Sequence, residues 1–168
     1  QLLVGGLLYD FGQMTLPFDN VDMESLRKPK KFSMQSLKHF MLFMGPLSSA
    51  FDMIVFAILW FVLKVSDVAM FQTVWFSYSI VSNLLGLHII RTTKLPFIQS
   101  HASKPVYISS ILIILVALVL PFTAIGALVG LVPITIVEIG FIFAVSLLYC
   151  IVTIFAKKIY IKKYEEWI

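Results

Sequence analysis

The chain has 168 residues, 60% hydrophobic and 13% charged, with a formal net charge of +4 and a mean hydropathy of +0.95. Soluble domains average about 45–50% apolar and about 25% charged residues, so both departures point to lipid. The one cysteine, Cys150, excludes an internal disulfide framework and a multi-cysteine metal centre, and its place in an apolar run marks a small buried hydrophobe.

Gln1–Phe18 is an apolar half-span, short of the roughly 20 residues a spanning helix needs. It opens without an initiator Met or a basic region, unlike a signal peptide, and is expected to be a piece of a longer protein. Asp19–Lys38 is the longest polar stretch, interrupted by Pro29, with Ser33 and Ser36 as candidate N-caps for the next helix. His39–Leu63 then runs for 25 residues with one formal charge, Asp52, before a short loop at Lys64–Met70. Phe71–Ile90 is a second apolar run, with Trp75 near its start as an interfacial aromatic. A polar link, Arg91–Lys104, leads to a third run at Pro105–Thr123, where the proline suits a first helical turn. Ala124–Pro133 is an uncharged, glycine-containing loop or interfacial dip. Ile134–Ala156 is a fourth run, broken only by Glu138, and a basic and aromatic tail, Lys157–Ile168, closes the chain.

Four apolar runs of this length in one small chain predict an all-α, polytopic transmembrane helical bundle, one partial helix plus four full spans. If the runs span, successive loops alternate sides. Arg27, Lys28, Lys30, Lys31 and Lys38 then share a side with Arg91, Lys94, Lys104, Lys157, Lys158, Lys162 and Lys163. Only Lys64 lies opposite, so 12 of the 13 basic residues mark one face as cytoplasmic. The sequence pI of about 9.2 therefore reflects topology and contact with anionic lipid, not nucleic acid. With the C-terminus on the basic face, the first half-span descends toward the cytoplasm.

Three carboxylates fall inside these spans: Asp10, Asp52 and Glu138. Asp10 stands about 12 Å from the inner edge of its segment at 1.5 Å per residue. A carboxylate at that depth is costly and marks a functional site by default. Tyr9, Gln13 and Thr15 bring further oxygens, and the hard cations Mg²⁺ and Ca²⁺ prefer such ligands. The competing reading pairs Asp10 with a buried polar residue. Asp52 follows the small residues Gly45, Ser48, Ser49 and Ala50, which favour close helix packing. Ser79, Ser82 and Asn83 on the next span make Asp52 one half of an interhelical polar clamp. Glu138, one turn inside its span, is structural or solvated, and His88 is an interfacial hydrogen-bonder rather than a metal ligand. Neither a nucleophilic triad nor a nucleotide-binding glycine loop is present.

The stretch LLYDFGQMTLPFDNVD at Leu7–Asp22 resembles the sixth transmembrane helix of P-type ATPases of the magnesium-importing subgroup. The resemblance continues through RKPKKF at Arg27–Phe32, FMLFMGPLSSAFD at Phe40–Asp52 and FQTVWF at Phe71–Phe76. It resumes at HIIRTTKLPFIQSHAS (His88–Ser103), LPFTAIGALVGL (Leu120–Leu131) and YIKKYEEW (Tyr160–Trp167), in order over essentially the whole chain. It implies the end of helix six over residues 1–18, then helices seven (39–63), eight (71–90), nine (105–123) and ten (134–156) of an ATP-driven Mg²⁺ importer. Asp10 matches the helix-six aspartate that helps bind the transported cation. Two departures remove oxygens: Gly5-Gly6 stand where relatives usually carry Gln-Asn, and Tyr78 where some carry a glutamate. Unwinding at the glycines would expose carbonyls instead. No DKTG or TGES motif is present, nor the fourth-helix proline motif. On this resemblance ATP and its Mg²⁺ belong to cytoplasmic domains outside the sequence, and the piece alone hydrolyses nothing. Its partners are the rest of its own polypeptide and the bilayer of a bacterial plasma membrane. The rivals are a standalone membrane scaffold and a secondary transporter that uses no ATP.

Overall fold

The structure is a computed structural model that describes residues 1–20, 34–94, 96 and 99–164. The basic run Arg27–Lys31, the candidate cap Ser33 and the final Glu165–Ile168 lie outside the described residues. Helix α1 covers Leu2–Gln13 and is followed by a 3₁₀ turn at Leu16–Phe18; α2 covers Met34–Ala57 and runs on as a π turn, Ile58–Val62. Then come α3 (Val68–Ile90), α4 (Lys104–Val119, extended by a 3₁₀ turn to Phe122), the short α5 (Ala124–Leu128) and α6 (Ile136–Tyr164). Among the described residues there is no strand, and four helices are long and apolar enough to cross a membrane. They span 29, 23, 19 and 29 residues. Even the shortest reaches about 28 Å, close to the ~30 Å of a hydrocarbon core. The expected all-α bundle, four spanning helices and a shorter first one, is what the chain forms.

Capping decides where these helices begin. Asp67 accepts from the N–H groups of Ala69 and Met70, both at 3.3 Å, so α3 starts at Val68. Thr135 and Glu138 make half a capping box: the Glu138 carboxylate accepts the Thr135 N–H at 2.8 Å and the Thr135 hydroxyl proton. Glu138 therefore has a structural role at the first turn of α6. Ser36 is no cap, because α2 has already begun at Met34.

Helix α3 is the axis of the bundle, in contact with α1, α4 and α6. Its most apolar stretch is 67% buried inside the chain, against 17% for α2 and 28% for α4 and α6. Thr73, Ser77, Ser82 and Gly86 are small and buried there, and small residues let helices approach in a lipid solvent that supplies no hydrophobic drive between them. Thr73 donates to its own Ala69 carbonyl at 2.7 Å and accepts from Val132 N–H at 3.1 Å, tying α3 to the loop before α6. Packing of α2 is looser. It meets α6 through Met44, Phe51 and Val55, while Gly45, Ser49 and Ala50 are exposed. Of the small residues expected to mediate packing, Gly45, Ser49 and Ala50 thus face away from the described helices, while Ser48 is half-buried within reach of Tyr149 on α6.

The α4–α6 connection contains a short helix rather than a loop. Thr123 caps α5 by accepting from Gly126 N–H at 3.1 Å and donates to Leu120 O at 2.8 Å. The turn is so tight that a Cβ on Gly126 would lie 2.0 Å from the Leu120 carbonyl oxygen. Backbone cannot yield as a side-chain tip can. Gly126→Ala is expected to cost the intact protein about 3 kcal/mol or more, seen as a lower midpoint of thermal unfolding in detergent.

Candidate cation site on the first helix

Helix α1 lies across α3 and α4. Its inward side carries Val4, Leu8 and Tyr9 against a cluster of Phe76, Ile80, Leu84, Ile113, Ala117 and Leu131. Gly12 is the point of closest approach: a Cβ there would lie 2.8 Å from Leu84 Cδ2 and 3.3 Å from Ile113 Cδ1. The helix is regular through Gly5 and Gly6. The expected unwinding is absent, because neighbouring residues keep their i→i−4 bonds, and the break in the segment comes only after Gln13.

Periodicity then separates the candidate ligands. Asp10 is exposed on the side of α1 that no described helix covers, Tyr9 is half-buried and Gln13 is intermediate. Tyr9 and Asp10 are close enough to interact electrostatically. The Thr15 hydroxyl is committed elsewhere, donating to Gly12 O at 3.1 Å and sharing a 2.8 Å hydrogen bond with Ser109 Oγ on α4.

Beside α1 lies a half-open groove of about 810 Å³, lined on one side by Gly5, Gly6 and Tyr9 and on the other by Gln72, Ser79 and Asn83 of α3. Gln72 and Asn83 are exposed there. Polar side chains in a membrane protein normally face the bundle interior or a water-filled cavity, so this face is unsuited to lipid tails. Asp10 does not line the groove; it stands next to it. Among the described residues no group of three or more His, Cys, Asp or Glu converges on one point. A divalent cation at Asp10 would thus draw on uncharged oxygens, on water, or on donors from elsewhere in the polypeptide.

The other polar candidates fall in a different place. Tyr78 is 1% exposed and packs with Phe51, Val55, Ile142 and Val145 between α2, α3 and α6. It is not among the residues that line the groove. Asp52 is on α2 within electrostatic range of Trp75, Tyr78 and Tyr149. The buried Trp75 indole N–H is its nearest kind of donor, though it falls short of a formed hydrogen bond. Ser82 and Asn83 spend their bonds inside α3, on Ser79 O at 3.2 Å and Ser79 Oγ at 3.4 Å. His88 is buried within the bundle near the end of α3, where its Nε2 hydrogen-bonds Ser110 Oγ at 3.0 Å and its ring stacks on Tyr107.

Sequence reasoning missed the charged pair that ends α1. Asp19 accepts from Arg91 at 2.5 Å and from Ser103 N–H at 2.7 Å. Arg91 also donates to the Ser100 carbonyl at 3.2 Å. Both side chains are nearly enclosed, Arg91 at 6% and Asp19 at 12% exposure.

Comparison with known proteins places this arrangement in a family. Residues 1–159 match the family described as cation transporting ATPase, C-terminus. The chain is 41% identical over 99% of its length to the magnesium-transporting ATPase, P-type 1, of Salmonella typhimurium, and covers 19% of that protein. Against the protein of the same name in Escherichia coli K12 it is 36% identical over 97% of its length, covering 18%. The chain thus spans about a fifth of the length of these relatives. By sequence match along nearly all its length, with four membrane-crossing helices, it belongs to the family of cation-transporting ATPase C-terminal segments.

Proposed function

We propose that the intact polypeptide is an ATP-driven Mg²⁺ importer, and that this chain supplies the end of its helix six (α1) and helices seven to ten (α2, α3, α4 and α6). The relatives at 41% and 36% identity are named as magnesium-transporting ATPases. What carries the reading beyond that likeness is Asp10, an exposed carboxylate on an apolar helix, on the face left open by the helices described here. A carboxylate in such a place needs a compensating charge, and a transported divalent cation supplies one.

In this reading Mg²⁺ is cargo. Asp10 holds it, with Tyr9 and Gln13 as weaker oxygen donors from the same helix. Asp52 and Asn83 serve the helix packing instead. Mg²⁺ keeps several waters and needs few protein ligands, which suits a site with one carboxylate from this segment. ATP, with its own Mg²⁺, acts in cytoplasmic domains of the longer polypeptide, where an aspartyl-phosphate cycle drives alternating access. The fragment alone hydrolyses no ATP. The protein lies in a bacterial plasma membrane with its basic end and C-terminus in the cytoplasm, and its partners are the rest of its own chain and lipid.

Liposomes holding the full-length protein and loaded with Mg²⁺ test this. ATP added outside energises only molecules whose cytoplasmic face points outward, and Mg²⁺ is expected to leave the lumen, with a phosphorylated aspartate forming in parallel. Mg²⁺ flux that runs equally well without ATP would establish a secondary transporter instead.

A further inference from the structure

The polar contacts of helix α1 with α3 and α4 gather toward one end, while Val4, Leu8 and Tyr9 pack by apolar contact. From Gly12 onward every turn is held: Gly12 against Leu84 and Ile113, Thr15 to Ser109, and Asp19 to Arg91 and Ser103 N–H. These contacts engage both α3 and α4. Toward the other end, Gly5 and Gly6 border the groove of about 810 Å³. There Gln1 reaches Gly130 O at 2.8 Å, and a Cβ on Gly6 would meet nothing within 4 Å. Asp10 lies two residues from the start of the fastened part, where the hold gives way to the groove.

We propose that Arg91 is a positioning residue for the cation site: through Asp19 it fixes the rotation and height of α1, and so where the Asp10 carboxylate is presented. This rests on the reading of Asp10 as a cation ligand. The guanidinium itself touches no cargo. Its two contacts on Asp19 and Ser100 use the planar fork that sets arginine apart from lysine, and a fork fixes direction as well as distance. Near-complete enclosure matters too. An exposed pair contributes little and would tolerate drift, whereas an enclosed pair leaves an uncompensated charge when one partner is removed. Asp19 closes the 3₁₀ turn that follows α1, so its anchor acts on Asp10 through the short link of residues 14–18. The Thr15–Ser109 bond, between Asp10 and Asp19, acts in the same direction.

Arg91→Gln and Asp19→Asn, singly and together in the full-length protein, test the proposal by ATP-driven Mg²⁺ flux from liposomes over a range of Mg²⁺ concentrations. Each single variant is expected to raise the Mg²⁺ concentration for half-maximal flux about tenfold, as supporting-shell changes do, with a smaller effect on maximal rate. The double variant is expected to be no worse than the worse single one, since the two act as a unit. Folded single variants with an unchanged half-maximal concentration overturn the proposal, even where the melting temperature falls, because that is a purely structural pair. Should both fail to fold, Thr15→Val decides: a rise of a few-fold supports the proposal and no change overturns it. Asp10→Asn in the same assay separates the two ideas. If it has no effect, the ligand reading fails, and the presentation of Asp10 by Arg91 fails with it. If Asp10→Asn abolishes flux and Arg91→Gln is silent, the positioning role fails.

Discussion

Asp10→Asn in the full-length protein is expected to abolish ATP-driven Mg²⁺ flux at ordinary Mg²⁺ concentrations, with apparent affinity falling by about 100-fold or more. The magnitude reflects what is lost. Residues that merely support metal ligands cost about 10–100-fold when removed, so a charged ligand should cost at least the upper end of that range. Asparagine keeps one oxygen and the shape but not the charge, so the variant isolates electrostatics from packing. Folding should survive, because Asp10 is exposed and no described helix packs over it. Two comparisons sharpen the result. Tyr9→Phe removes a half-buried hydroxyl next to Asp10 and should alter affinity by only a few-fold. Asp52→Asn, on α2 beside Trp75, Tyr78 and Tyr149, should lower the unfolding midpoint while leaving the Mg²⁺ dependence of the folded protein alone. Unchanged half-maximal Mg²⁺ in Asp10→Asn would remove this residue from the cation site.

The four spans were legible because apolar runs of 19 to 25 residues leave few alternatives. The antiparallel succession comes from the same runs, and the structure brings the ends together accordingly: Asp19, Arg91 and Ser103 meet at one end, Thr73 and Val132 at the other. Helix starts were less legible, although the signals are present. Thr135–Glu138 is a T-x-x-E capping box, obscured by the apolar residues around it, and Asp67 stands one residue before α3. The basic residues taught the opposite lesson. Counting them gives an orientation, but a count treats all of them as surface charge. Arg91 is nearly enclosed and Lys157 is only 3% exposed. The Asp19 partner of Arg91 is 72 residues away in sequence and the three carbonyls that Lys157 reaches are 63 to 68 away, distances that no local pattern reports. Of the small residues of α2, Ser48 alone lies toward Tyr149 of α6, because small size permits close packing but does not name the neighbour. Gly5-Gly6 misled in the other direction. Glycine permits unwinding, yet the segment keeps its helix, with Gly5 N–H bonded to Gln1 O at 2.9 Å.

Lys157→Met is expected to be the most damaging single change to the folded bundle away from α1. Lys157 is on α6, but its ammonium donates to three carbonyls at the C-terminal end of α3 and just beyond: Ile89 and Lys94 at 2.9 Å each, and Thr92. The final carbonyls of a helix lack partners within the helix and carry the negative end of its dipole, so a cation there satisfies both needs. Each bond to a charged group is worth about 1.5–3 kcal/mol, against ~0.6 kcal/mol for an average interhelical hydrogen bond in a membrane protein. The three are not additive, and methionine removes the charge along with the bonds, so a net loss of about 3–5 kcal/mol is the reasonable expectation. Two measurements check it on the full-length protein in detergent. The unfolding midpoint should fall, and amide exchange should quicken in peptides covering the end of α3. Lys157→Gln, which keeps two donors but no charge, should lie between the variant and the parent. Equal losses in Gln and Met would assign the stabilisation to charge alone, and no loss in either would show that α3 ends stably without α6.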